Sequence, residues 1–256
     1  MSNYRFAIPT YKRYQGLGEK TLKTLDKFGF DKDIIDIFVN NKEEYEIYKP
    51  LYPDYNIIIG ELGMRQIRQF IINYYDEGDK IIHMADDITD IKMANPKSWE
   101  KSSLEEIENL HQEIDLAFEL CVKHNTVLWG IYPCDNHMFM KNEPSTHLAF
   151  CVGWMWGCII DKEVLKLDCR TIGNYEDYER SIKVFKKYRS IIRLNYLCAK
   201  TKYNAPNSGG MCIGDRSIGM KSDLDILMSD YSDYLILKKK KSNILGVNPQ
   251  IKSNIR

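Results

Sequence analysis

The chain has 256 residues, of which 44% are hydrophobic and 28% charged, with a formal net charge of zero at pH 7. That length suits one elaborated α/β domain or two small ones. Neutrality excludes the global field that marks a strongly basic nucleic-acid binder.

Taken in chain order, the first ninety residues alternate in type. YRFAIPT (4–10) reads as a short strand, and GEKTLKTLDKFGF (18–30) has apolar residues at helical spacing. DIIDIFVNN (33–41) and YNIIIGE (55–61) read as further strands. MRQIRQFIINYYDEG (64–78) is a predicted helix closed by Gly78, and KIIHMADD (80–87) is a fourth strand. Strand–helix repetition with short apolar strands implies an α/β fold with a mainly parallel central sheet and helices on both faces. Downstream, 104–125 has an amphipathic helical pattern, 126–133 and 147–161 are strand-like, 176–199 reads as a long helix, and 204–219 as a loop. With no internal repeat and no clear linker, the expectation is one domain over 1–237. The remainder, 238–256, reads as a basic, solvated tail that contains Lys238–Lys241, Lys252 and Arg256 and no acid.

Several function classes fall away. No window approaches the roughly 20 apolar residues of a membrane span, and the start MSNYRFAIPTYKR lacks an apolar stretch of signal-peptide length. Seven Cys lie between Cys121 and Cys212 with no CxxC pair and no zinc-like spacing. They read as reduced core thiols, so a cytoplasmic chain is expected. GLGEKT (16–21) imitates a phosphate loop, but Arg13 stands where its first Gly belongs and Glu19 separates Gly18 from Lys20.

Two features point to chemistry. Asp86 and Asp87 follow an apolar strand at once, with Asp90 three residues on. Adjacent carboxylates repel, and desolvating them is costly unless a cation pairs with them. Hard oxygens suit Mg²⁺ or Mn²⁺ bridging to substrate phosphates; the alternative is that one Asp caps a turn at 88–92. Arg65 and Arg68 share a helical face near a helix start, against the macrodipole. They fit either a ligand anion or an ordinary solvated face.

In this order the motifs resemble the nucleotide-sugar half of a GT-A glycosyltransferase: a strand ending IPTYKR, a strand ending VNN, a G-x-x-x-x-R-Q helix and a strand ending ADD. NYEDYERS (174–181) is similar to the acidic motif that opens a helix and supplies the base in inverting members. More narrowly, HMADDI, WGIYPCDN, GNYEDYERS and a later SGGM…DR look like the phage and viral glycosyltransferases associated with TET/JBP-type hydroxylases, which act on hydroxymethylated DNA bases. The resemblance implies a donor half at 1–92 and an acceptor half at 93–237. It implies Asp87 as ligand of a divalent Mn²⁺ or Mg²⁺, with Asp86 nearer the ribose or sugar, although Ala85 stands where many members carry a first acid. No His follows His147, so the C-terminal His ligand of some retaining families is missing, which favours inversion.

On this basis Asp177 is the expected base, with Glu176 the alternative. Pro9, Thr10, Arg13, Asn40, Asn41, Arg65 and Arg68 fall on the donor side, and Trp129, Asn136, Ser208, Gly209 and Gly210 border the acceptor. UDP-glucose is the implied donor and a 5-hydroxymethylpyrimidine in DNA, such as hydroxymethyluracil, the implied acceptor, in the cytoplasm of a host cell. A glycan or protein acceptor, a sugar-phosphate nucleotidyltransferase and a non-catalytic nucleic-acid-binding module remain as alternatives.

Overall fold

The computed structural model describes residues 4–94, 104–201, 217–241, 243–252 and 255. Period-two alternation in the strands divides the apolar side chains between two faces. In β1 (Arg5–Pro9), Phe6 and Ile8 enter one core and Ala7 the other. β2 (Ile35–Val39) does the same with Ile35, Ile37 and Val39 against Phe38. The first face is covered by α1 (Tyr14–Leu17), which runs through a π turn (Gly18–Leu22) into α2 (Lys23–Lys27), and by α3 (Lys42–Leu51). Beyond β3 (Asn56–Ile59), α4 (Met64–Tyr74) covers the second face and leads into β4 (Lys80–Met84). The expected helices on both faces are present.

The rest of the sheet comprises β5 (Ile88–Ala94), β6 (Leu104–Glu106), β7 (Leu128–Tyr132), β8 (Met155–Ile159) and β9 (Ile192–Thr201). The strand order is β3-β2-β1-β4-β8-β7-β9-β5-β6. β3, β2, β1 and β4 are mutually parallel, as expected for the first half. Beyond β4 the sheet is mixed: β8 runs antiparallel to both β4 and β7, β7 is parallel to β9, and β5 is antiparallel to β9 and β6. Parallel neighbours need a crossover, whereas β7 and β8 are joined by a connection with no α-helix in it.

Several elements differ from the sequence reading. The long helix expected over 176–199 is α6 (Glu176–Tyr188) followed by β9. Arg189 takes a left-handed conformation, φ 57°, and its N–H closes on the Phe185 carbonyl, which ends the helix before the β-branched pair Ile191–Ile192. The helix expected over 104–125 begins with β6; α5 (Leu110–Lys123) starts where Asn109 accepts from Gln112 N–H. Ser217–Gly219, expected in a loop, open α7 (Ser217–Tyr231). The basic tail contributes a hairpin: β10 (Leu235–Lys239) pairs antiparallel with β11 (Val247–Ile251). Leu235 is buried there with Tyr175, Tyr178, Leu224 and Leu227.

Trp129 is corrected from acceptor border to core. It is 0% exposed, and its ring meets Phe118 edge-on at 5.6 Å. Across the sheet it lies over Gly157, where a Cβ would stand 2.2 Å from the indole. Gly157→Ala should therefore overpack this site and lower stability by about 1–3 kcal/mol. Urea unfolding would show it as a lower midpoint at unchanged slope.

Candidate active site

In the order β3-β2-β1-β4 the direction of strand addition reverses between β1 and β4, and open α/β sheets bind ligands beyond the carboxyl ends at such a point. The residues after β1 and β4 meet there. Thr10 Oγ donates to Asp86 Oδ2 at 2.7 Å. Arg13 Nη1 donates to Asp86 Oδ1 at 2.5 Å and lies 2.9 Å from Asp87 Oδ2. Asp86 and Asp87 form a tight turn directly before β5, so there is no turn of helix at 88–92 for either to cap. Burial raises the Asp86 pKa, opposed by Arg13 and by the Thr10 hydrogen bond. Burial alone would lower the Arg13 pKa; Asp86 and then Asp87 turn the balance and raise it.

A further residue, absent from the sequence reading, holds this cluster. Tyr48, fully buried on α3, lies 2.9 Å from Thr10 Oγ and accepts from Arg13 N–H at 3.1 Å. Tyr45, Tyr48 and Tyr52 have the spacing of one helical face, which was the available signal. Asn41, expected on the donor, instead caps α3 by accepting from Glu44 N–H. Pro9 ends β1, and Asn40 is buried just past β2 on the same sheet edge.

The second acidic group lies across the β4–β8 junction. Trp154 C=O accepts from Ala85 N–H at 2.7 Å, and the preceding Gly153 N–H donates to Asp177 Oδ2 at 3.3 Å. Two consecutive residues thus tie the Asp86–Asp87 turn to the start of α6. A Cβ on Gly153 would stand 3.1 Å from Glu176 Oε1, so glycine permits this approach. Arg68 donates to Gly153 O at 2.8 Å and lies 3.7 Å from Glu176; Arg180 pairs with Glu176 and donates to Cys151 O. Arg68 is therefore on the Asp177 side, and burial lowers its pKa.

Trp156 forms the floor. His83 stacks on it at 3.9 Å with the rings 9° apart, and the Arg180 guanidinium lies 3.7 Å from its centroid. Arg68 Nη1 lies 3.2 Å from His83 Nδ1, which must then accept, leaving the ring proton on Nε2. Burial, then Arg68 and Arg180, lower the His83 pKa well below its ordinary value and keep it neutral. The i,i+4 spacing of Glu176 and Arg180 was legible; the stack was not.

Burial, then Glu176, raise the Asp177 pKa to about 7, against Arg180 and the N–H groups of Tyr178 and Gly153. Arg65 is half-buried, with Nε unpartnered among the described residues. Asn136, expected at the acceptor, caps the turn His137–Phe139 by accepting from Met138 N–H. Ser208, Gly209 and Gly210 lie outside the described residues.

A divalent ion is tested by the donor set. The described residues bring together no group of three metal-binding side chains, but Asp86 and Asp87 offer two hard carboxylates against one guanidinium. The pair retains a net negative charge, and the Asp87 side chain is 17% exposed. That fits an ion whose other ligands are phosphate oxygens and water.

No family model and no curated protein matches the sequence. Solved structures match its fold. Glucosyl-3-phosphoglycerate synthase from Mycobacterium tuberculosis, crystallised with Mn²⁺, UDP-glucose and phosphoglyceric acid, matches with TM-score 0.50 and 10% identity over 99% of this chain and 88% of that one. A mycobacterial protein gives TM-score 0.51 and 10% identity over 97% and 83%. A mannosyltransferase from Pyrobaculum calidifontis, in complex with GDP-mannose and Mn²⁺, gives 0.47 and 10% over 75% of this chain. The chain spans 56% of that protein's length. The fold is GT-A-like, as the sequence resemblance implied. Among the described residues, no helix is long and apolar enough to cross a membrane.

The raised Asp177 pKa has a consequence for stability. An unfolded Asp releases its proton near pH 4, whereas native Asp177 holds its own to about 7. Across that window the native state binds more protons, so this contribution to stability is full below about pH 4 and declines as pH rises towards 7. Asp177→Asn should shrink the drop in urea midpoint between about pH 5 and about pH 7.5. An unchanged drop means that the native carboxyl is not shifted.

Proposed function

We propose that the chain is a metal-dependent, inverting glycosyltransferase that moves a hexose, glucose from UDP-glucose, to a hydroxyl acceptor. The observation that carries this reading is the Gly153–Trp154 bridge, which joins an acidic pair at the switch point to a carboxyl with pKa about 7. Asp87 would hold the divalent ion, with Asp86 towards the ribose or sugar. Bound there, the ion supplies electrostatic stabilisation to the departing diphosphate. Arg13 adds a positive charge beside it, and the edge residues Pro9, Thr10 and Asn40 flank the nucleoside.

Asp177 takes the acceptor proton while the acceptor oxygen bonds to the anomeric carbon and the bond to the diphosphate breaks. A base with pKa near neutrality balances ionisation against basicity. Glu176, committed to Arg180, fits a positioning part better than the base. Asp177→Asn should lower the rate about 10²–10⁴-fold with UDP affinity kept, and the wild-type rate should rise with pH to a plateau above about 7. Asp87→Asn should abolish Mn²⁺-dependent UDP binding. A mutant that binds both as the wild type does would remove the metal from this reading.

For the acceptor, we infer a 5-hydroxymethylpyrimidine in DNA. The motif resemblance supports it, and so does the place of the basic hairpin: Tyr178, next to Asp177, donates to Pro249 O on β11, and β10 carries Lys238 and Lys239. Such an enzyme would flip the base or take an open strand. The test offers UDP-glucose, Mn²⁺ and oligonucleotides containing 5-hydroxymethyluracil or 5-hydroxymethylcytosine. A hexose mass shift is expected, and replacing Lys238–Lys241 with Ala should flatten the salt dependence of DNA binding. Modification of a glycan or protein hydroxyl instead would move the acceptor out of DNA and leave the transferase reading intact.

A further inference from the structure

Arg13 stands where a metal would be expected to neutralise the acidic pair. One guanidinium nitrogen reaches both carboxylates, at 2.5 Å and 2.9 Å, and the Arg13 side chain is only 12% exposed. Its position is fixed at both ends. Thr10 Oγ donates to Asp86, so the Tyr48 hydroxyl must donate to Thr10, while the same hydroxyl accepts from Arg13 N–H. The hydrogen bonds run from Arg13 backbone through Tyr48, Thr10 and Asp86 back to the Arg13 side chain. Lys12 just before it is held at φ 53°, with its N–H on Glu44 Oε2. A non-glycine residue in that region costs energy and persists only where its surroundings impose it.

From this geometry we propose that Arg13 is the resident counter-cation of Asp86 and Asp87, and that it couples the binding of a divalent ion to the binding of a nucleoside diphosphate. Without nucleotide, the guanidinium holds the oxygens that an ion would need, so the ion meets a site already neutralised in part. A diphosphate offers the planar guanidinium of Arg13 a pair of anionic oxygens of its own. The guanidinium turns towards it and releases the carboxylates, which then require a cation again. Ion and nucleotide each strengthen the other by the same factor, as linkage demands. The coupling rests on the metal-dependent reading above, and its test needs no turnover.

Mn²⁺ affinity is measured by calorimetry or by electron paramagnetic resonance, with and without UDP, for wild type, Arg13→Met and Arg13→Lys. In the wild type UDP should raise Mn²⁺ affinity by about 5–150-fold, the usual range for coupled sites. Arg13→Met keeps the stem and removes the charge. It should bind Mn²⁺ more tightly than the wild type without UDP, and the UDP-dependent gain should shrink to the part that phosphate oxygens supply as ligands of the ion. Arg13→Lys keeps a charge on a flexible stem and is the variant that folds if the Met variant does not; it should fall between the two. Mn²⁺ affinity without UDP that is unchanged or weaker in the variants overturns the coupling while leaving the metal site in place. A wild type that binds UDP but no Mn²⁺ in either state overturns the metal-dependent reading and the coupling with it.

Discussion

Two adjacent carboxylates close the central strand β4, and everything around the switch point follows from the need to neutralise them. Asp86 is 6% exposed, so its charge has little access to water. An unpaired charge at such a depth is strongly destabilising, and the chain answers with a guanidinium from the neighbouring strand's exit. That demand explains features that otherwise look unrelated: the left-handed Lys12, the buried hydroxyl of Tyr48, and the cap of Asn41 on the helix that presents Tyr48. Each places one atom that holds Arg13 or Asp86.

The second half of the molecule is joined to this cluster by topology. β8 pairs antiparallel with β4, so the residues entering β8 lie beside the residues leaving β4. Gly153 and Trp154 are those entering residues, and their backbone bonds reach Asp177 on one side and Ala85 on the other. A parallel neighbour would enter at the opposite edge of the sheet and could not make both bonds. The stack of Arg180, Trp156 and His83 then fixes α6 laterally, with the indole between the guanidinium and a neutral imidazole that adds no further charge to the buried cluster.

The parallel half was legible because its strands are short, mostly apolar and separated by helical segments. β1 to β4 lie within the stretches read from the pattern, and Asp86, Arg13 and Thr10 fall together as their strand exits predict. The antiparallel half was much less so. Continuous apolar runs such as that around Ile191 and Ile192 do not distinguish helix from strand, and the break at Arg189 uses a left-handed arginine in place of glycine. Trp129 was misplaced because its core position depends on Gly157, twenty-eight residues away and across the sheet. A longer separation hid Trp156 and His83: a stack between two strands leaves no local period. Asn41 was placed on the donor side at a strand exit and Asn136 at the acceptor within WGIYPCDN; both side-chain oxygens accept locally, as caps, which such positions do not reveal in a sequence.

The two acidic groups differ in what holds them. Asp86 and Asp87 share a cation of their own, at hydrogen-bond distance from both. Among the described residues Asp177 has none at that distance: Arg180, one turn along its helix, is committed to Glu176, and what reaches the Asp177 carboxylate are two backbone N–H groups. Placed beside a second carboxylate and desolvated, it holds its proton to about pH 7. One acidic environment is thus set against a guanidinium, the other against backbone donors and a second carboxylate. Gly153 lets both environments exist a short distance apart, since it brings its N–H to Asp177 without a side chain that would displace Glu176 from Arg180. The bridge therefore separates the two carboxyl environments as much as it links them, with the guanidinium-bound pair on the aspartate turn and the backbone-bound carboxylate on α6.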